Sequence, residues 1–194
     1  SSAAAVLLQE QGYAVSGLHL SLLSGLPLPA DRLPDDGSDA RAVASLLGLP
    51  FYDMDLSPKF RATVIDYFIR EYEAGRTPNP CVFCNRRIKF GAMWDAAQAL
   101  GADCLATGHY ANIARDAATG RYLLRRGADR AKDQSYFLCQ LSQEQLSRAL
   151  FPVGGLLKPE VRRIAEEQGL ATAKRKDSQG ICFVGKVDLP TFLQ

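Results

Sequence analysis

Five cysteines, at positions 81, 84, 104, 139 and 182, are the side chains of this 194-residue chain best suited to covalent chemistry. Two form the pair Cys81-Val82-Phe83-Cys84, which follows Gly75-Arg76-Thr77-Pro78-Asn79-Pro80. The prolines stiffen an extended approach to a helix expected to begin near Asn85. A thiol at a helix N-terminus has its thiolate favoured by the positive dipole end, and Arg86, Arg87 and Lys89 add charge, so the pair reads as reactive sulfur. Structural zinc is the alternative, but it needs two more ligands and no second paired spacing supplies them. Cys182 sits in Lys176-Asp177-Ser178-Gln179-Gly180-Ile181-Cys182-Phe183. There Gly180 allows a turn beside the basic run Lys174 to Lys176, while the segment alone favours a cysteine buried between Ile181 and Phe183. Cys104 and Cys139 adjoin apolar runs and are expected to be small buried hydrophobes. An odd cysteine count without a secretory signal argues for a reducing compartment and against a disulfide framework.

Three polar runs join the candidates. Ser1-Ser2 opens a helix, where free N–H groups and hydroxyls suit phosphate or form an ordinary N-cap. Thr107-Gly108-His109-Tyr110 follows a strand, and Gly108 would admit a nucleotide close to the backbone or serve a simple turn. Lys132-Asp133-Gln134-Ser135 offers charged and amide groups, or a plain cap.

The elements that must position these groups follow a repeated pattern. A periodic helix, a glycine and a β-rich run recur at Ser2–Gln11 with 13–18, at Ser38–Leu47 with 51–55, and at Asn85–Leu100 with 103–107. Further helices are expected over 58–74 and 158–168, a hairpin over 111–124, and a surface loop over 24–37. Helix alternating with strand predicts an α/β chain, a doubly wound, mostly parallel sheet with helices on both faces. A small helical or irregular piece follows it. The division expected is 1–140 for nucleotide binding and 141–194 for an extension carrying Cys182.

Composition excludes disordered and collagen-like classes, with 47% apolar and 23% charged residues. The longest stretch without Asp, Glu, Lys or Arg, from Gln11 to Ala30, is broken by Gly and Pro and is no membrane span. The start at Ser1, without Met or a basic leader, reads as a fragment. Residues 1–75 hold 5 Lys/Arg against 10 Asp/Glu, and residues 76–194 hold 18 against 11. The basic share clusters at 86–89, 121–132 and 174–176, pointing to a polyanionic partner or a solvated surface.

In order along the chain, Gly12-Tyr13 through Gly17-Leu18-His19, Gly75 to Pro80, Cys84-Asn85 with Ile88-Lys89-Phe90, Ala106 to Tyr110, Lys132 to Leu138, and Asp177-Ser178 with Gly180 to Phe183 form a specific set. The set resembles the tRNA-specific 2-thiouridylases, a branch of the ATP-pyrophosphatase superfamily with an adenine-nucleotide α-hydrolase-like fold. The resemblance covers the family's N-terminal catalytic domain. It implies a cytoplasmic enzyme that adenylates the wobble-uridine C2 oxygen with ATP and Mg2+ and then replaces that oxygen with sulfur. By resemblance Cys182 carries the sulfur as a persulfide and Cys84 is the nucleophile that releases it, leaving a Cys84–Cys182 disulfide. Asn79, Pro80 and Cys81 would surround the target base. His109, Lys132, Asp133 and Gln134 would contact the tRNA anticodon arm, and Ser1, Ser2, Leu20 and Gly108 would lie at ATP. A sulfur-donor protein or a sulfide source completes the implied partners, with no membrane.

Three departures from the family matter. The glycine-rich pyrophosphate loop survives only as Ser1-Ser2, which implies poor adenylation by the chain alone. Leu20 stands where Met is usual, and Cys81 where many members have an acid–base Asp. A third thiol at that position raises an alternative sulfur route, an iron–sulfur cluster on Cys81, Cys84 and Cys182 with one open iron. Other function classes remain: another ATP-pyrophosphatase tRNA thiolase, or a non-catalytic tRNA-binding or sulfur-carrier fragment.

Overall fold

Glycines in the left-handed region end the early helices and turn the chain back into strands. The computed structural model describes residues 1–25, 37–174 and 180–184. Arg175, Lys176, Asp177, Ser178 and most of loop 24–37 lie outside the described residues. Helix α1 (Ser2–Glu10) stops before Gly12, at φ 84°, and leads to β1 (Gly17–Ser21). Helix α2 (Ser38–Leu46) stops before Gly48, at φ 66°, and leads to β2 (Phe51–Asp55). The two strands pair in parallel, Gly17 opposite Phe51 through Ser21 opposite Asp55. The strand expected over 13–18 therefore begins later: Gly17 N–H donates to the Pro50 carbonyl at 2.8 Å, and the ladder starts where a neighbour first supplies bonds.

Two long helical runs follow. The first comprises α3 (Ser57–Phe60), a π-helical stretch Arg61–Ile65 and α4 (Asp66–Glu73). The second comprises α5 (Pro80–Cys84), a π-helical stretch Asn85–Ala92 and α6 (Met93–Ala99). The second run starts at Pro80, not near Asn85. Asn79 caps it by accepting from Val82 N–H at 3.3 Å, and proline suits the first helical position because its missing N–H is not needed there. The cysteine pair thus lies inside the first helical turn. The wider π-helical turns leave carbonyls to be satisfied from outside, and Gln145 Nε2 donates to those of Arg86 and Phe90 at 2.9 and 2.8 Å.

Strand β3 (Leu105–Ala106) is shorter than the expected 103–107. It pairs in parallel with β6 (Ala149–Leu150), a two-residue strand after α7 (Gln143–Arg148) that is too short to leave a periodic trace in the sequence. The expected hairpin is present as β4 (Ala111–Arg115) and β5 (Tyr122–Arg126). The class is α/β with parallel pairing, and the described strands form three two-stranded sheets, β1–β2, β3–β6 and β4–β5. Helix α8 (Lys158–Glu167) packs on α1, with Val6, Val43 and Ala165 in one apolar cluster. Both that packing and the β3–β6 pair join residues on either side of position 140.

The largest apolar cluster contains Phe60, Val64, Phe68, Cys84, Ile88 and Phe183. Spacings of four along the first run place Phe60, Val64 and Phe68 on one face. Phe183 meets the rings of Phe60 and Phe68 edge-on, with centroids at 5.8 and 5.2 Å. Cys104 and Cys139 are exposed rather than buried. Their neighbours Leu105 and Leu138 take the inward positions, because adjacent residues of a strand or tight turn face opposite ways. Phe68→Ala is expected to lower the unfolding free energy by about 3 to 5 kcal/mol, read as an earlier urea midpoint.

Candidate active site

The first turn of α5 and the residues around Cys182 come together through the apolar cluster. Cys84 is buried at 8% exposure and shares that cluster with Phe183 and Val184, with Ile181 packed against it. Cys81 is half-buried, and Cys182 is exposed rather than enclosed between its neighbours, because Phe183 and Val184 take the core positions. Cys84 senses the charges of both Cys81 and Cys182, so residues 98 positions apart in sequence lie within electrostatic reach. All five thiols are free.

The expected stabilised thiolate is not what this arrangement produces. Burial pushes the Cys84 thiol up to about 12, overriding the opposing pull of Lys89. Desolvation beside the cluster also raises Cys81 and Cys182. Desolvation wins over the helix N-terminus because the charge would be removed from water on nearly every side. The site as folded stores neutral thiols.

Lys89, which the sequence reading counted with Arg86 and Arg87 as charge beside the thiol pair, reaches further than that reading gave it. Its ammonium lowers the pKa of Cys81, Cys84 and Cys182 and of His109, so one cation acts on the whole constellation. Its spacing of five after Cys84 was the available signal.

A pocket of about 590 Å³ adjoins this side of the helical run. Ser1, Ser2, Leu20 and Gly108 all line it, together with Lys89, His109 and Gln134. The volume suits a nucleotide. Ser1 is the N-cap of α1 but makes no side-chain capping bond, so its hydroxyl is not committed as in an ordinary cap. Gly108 does need to be glycine: a Cβ there would strike the Ser1 backbone. The close approach it permits is made by the chain itself.

The residues expected at tRNA divide into two groups. Lys132 is exposed. Asp133 accepts from Gly127 N–H at 2.9 Å and from the Ser135 hydroxyl at 2.9 Å. Burial alone would raise its pKa, but these bonds outweigh it and the net shift is downward. Gln134 is tied to Tyr110 in both directions, accepting from its N–H at 3.0 Å and donating its own N–H to the carbonyl at 2.8 Å. His109 is buried at 7% exposure against Phe90 and Phe151, with Nδ1 sharing a 2.7 Å hydrogen bond with Thr107 Oγ1. Burial, then Lys89, holds His109 down to about 3 and therefore neutral. These contacts build the wall of the pocket.

Residues 1–186 match the family described as tRNA methyl transferase HUP domain. The chain belongs to that family. It is 54% identical over 199 residues to the tRNA-specific 2-thiouridylase MnmA of Christiangramia forsetii, covering 100% of this chain and 50% of that relative. The same figures hold for the protein of that name in Flavobacterium johnsoniae. Its counterpart in Streptococcus agalactiae is 52% identical over 194 residues, with 52% of its length covered. The chain thus spans about half the length of these curated relatives.

Within this HUP domain, the described residues contain no group of three His, Cys, Asp or Glu side chains placed to hold a metal ion. Cys81, Cys84 and Cys182 as positioned do not converge on a single metal ion, and no step is derived through a metal. No described helix is long and apolar enough to cross a membrane.

Two pH effects follow. A thiol near 12 instead of 9.0 leaves about a thousandth of the ordinary thiolate at neutral pH, so iodoacetamide should alkylate Cys84 about a thousandfold more slowly than an unperturbed thiol. Lys89→Met should slow it further, and peptide mass spectrometry across pH reads both. His109, lowered from 6.5 to about 3, contributes stability that is complete above pH 6.5 and lost as pH falls toward 3. His109→Gln should flatten that part of the thermal-midpoint profile.

Proposed function

We propose that this chain supplies the catalytic domain of a tRNA 2-thiouridine synthase, an ATP-dependent tRNA-uridine 2-sulfurtransferase acting in the cytoplasm. The observation that carries the reading is the packing of Cys84 with the segment around Cys182 in one apolar cluster beside the Ser1–Gly108 pocket. The family description mentions methyl transfer, and the names of the relatives mention thiolation. Two electrostatically coupled thiols support the second, since methyl transfer needs no such pair.

In this reading ATP binds in the pocket, its phosphates toward the N-terminus of α1 with Mg2+. The wobble C2 oxygen attacks the α-phosphate, and pyrophosphate leaves. The terminal sulfur of a Cys182 persulfide, passed to Cys182 from the persulfide of a donor protein whose own thiol is released, then attacks C2, and AMP departs with the oxygen. Cys84 attacks the Cys182 sulfur, the S–S bond electrons pass to the thiocarbonyl, and a Cys84–Cys182 disulfide remains for a two-electron thiol reductant. A wobble base of the anticodon arm must be splayed out to reach the thiols. Asn79, Pro80 and Cys81 would flank it, a reading supported by their sharing the helix start that carries Cys84. The resting thiol near 12 means that Cys84 attacks only after its burial is relieved, and opening of the Ile181–Val184 packing is the direct way to do so.

We prefer the persulfide route because it needs only the Cys84–Cys182 pair, whereas an iron–sulfur cluster would draw on Cys81, Cys84 and Cys182 together. Iron bound stoichiometrically after anaerobic purification of the intact protein would reverse that preference.

The deciting measurement is mass spectrometry of tRNA from a strain lacking the protein. The parent should restore wobble 2-thiouridine, while Cys84→Ser and Cys182→Ser should leave it at background. Full restoration by Cys84→Ser would favour a non-catalytic tRNA-binding or sulfur-carrier role. Thiolation restored at a different base would favour another ATP-pyrophosphatase thiolase.

A further inference from the structure

A second cavity, of about 720 Å³, lies on the opposite side of the 80–99 helical run from the nucleotide pocket. The two share that helix and strand β3 through alternate residues. Lys89, Met93 and Ala106 face the nucleotide pocket, whereas Arg86, Arg87 and Leu105 face the second cavity. Its remaining walls come from the 57–73 run and α7.

The lining is strongly basic. Lys59, Arg70, Arg86, Arg87 and Arg148 face it, against only Asp95 and Glu144. Among the described residues Lys59, Arg70, Arg86 and Arg87 form no ion pair, and Arg148 reaches Glu144 only at 3.7 Å. Uncompensated cations gathered along one groove raise the local positive potential and draw in anions.

Two of the guanidinium groups lie over aromatic rings, Arg148 over Trp94 at 5.0 Å and Arg87 over Phe83 at 5.7 Å. Phe83 is itself stacked on Tyr67, with centroids at 4.5 Å and planes 19° apart. Stacking holds the guanidinium plane while its N–H edge stays available to phosphate oxygens.

We propose that this cleft binds the sugar–phosphate backbone of RNA and leads the strand toward Cys84. The proposal rests on the tRNA-thiolation reading and names a contact surface for it. Five cations on three separate helical elements suit a row of phosphates better than one small anion. Phe83 and Trp94 hold guanidinium groups over their rings, so the cleft meets the phosphates rather than the bases. Phe83 ties the cleft to the chemistry, since it lies between Cys81 and Cys84 in one helical turn.

The test measures tRNA affinity of the intact protein between about 50 and 200 mM salt. Arg70 and Arg86 are exposed, so the double variant Arg70→Gln/Arg86→Gln should keep the parent urea midpoint. Its slope of log affinity against log salt should shrink by about 1 to 2, while ATP affinity stays at the parent value. The variant Arg70→Lys/Arg86→Lys keeps the charge and should retain the parent slope, which guards against a folding artefact in the first.

An unchanged slope and affinity in the glutamine variant, with a parent that binds and thiolates tRNA, would overturn the cleft and leave the enzyme reading intact. So would pyrophosphate binding lost in that variant with tRNA binding untouched, which marks a small-anion site. Weakened binding of a sulfur-donor protein at constant tRNA slope would overturn it in favour of an acidic protein partner. A parent that binds tRNA without salt dependence and does not thiolate it would remove both readings together.

Discussion

Ile88 is fully buried in one cluster with Phe60, Val64 and Phe68, and the remaining features of the two sites depend on the orientation this packing imposes on the 80–99 helical run. With Cys84 and Ile88 turned inward, Lys89 and Met93 face the Ser1–Gly108 pocket, and Phe83, Arg86 and Arg87 face the basic cleft. One helix thus serves three environments because residues four apart, such as Cys84 with Ile88 and Lys89 with Met93, share a face while adjacent residues point in different directions around its axis. The π-helical stretch changes that angular spacing locally, and Gln145 keeps its carbonyls satisfied.

The same packing sets the electrostatics. Bringing Phe183 onto Phe60 and Phe68 brings Cys182 near Cys84, but it also removes water from Cys84. Proximity and reactivity are therefore opposed in this state: the contact that assembles the thiols also keeps them protonated. Lys89 works against desolvation without overcoming it. Its action on His109 is in the same sense, since a cation nearby disfavours a second positive charge, and the neutral imidazole stays packed against Phe90 and Phe151.

The polar motif residues have a related double character. Asp133 and Gln134 spend their hydrogen-bonding capacity on Gly127, Ser135 and Tyr110, so they hold the loop that frames the pocket. Asn79 caps the helix that carries the cysteines. Groups marked by type as binding residues here fix the geometry of their neighbours first.

Much of the site was already legible in the sequence. The cysteine spacing, the helix–glycine–strand punctuation and the hairpin depend on local rules, in which a residue and its near neighbours set the backbone, and helices over 2–10, 38–46 and 158–167 lie close to their expected ranges. The helix start at Pro80 was also local, yet Pro78 and Pro80 together read as an extended approach, and only the Asn79 cap distinguishes the two. Exposure of Cys104 and Cys139, the two-residue strand 149–150 and the reach of Lys89 to His109 and Cys182 had no local mark. Each depends on what a distant segment covers, pairs with or leaves charged. The sequence by itself determined which thiols exist and which helices carry them. Tertiary structure alone decided that Cys84 is protonated and faces Cys182, and that arginines from three elements share one cleft, because burial and Coulomb interaction depend on distance in space and not along the chain.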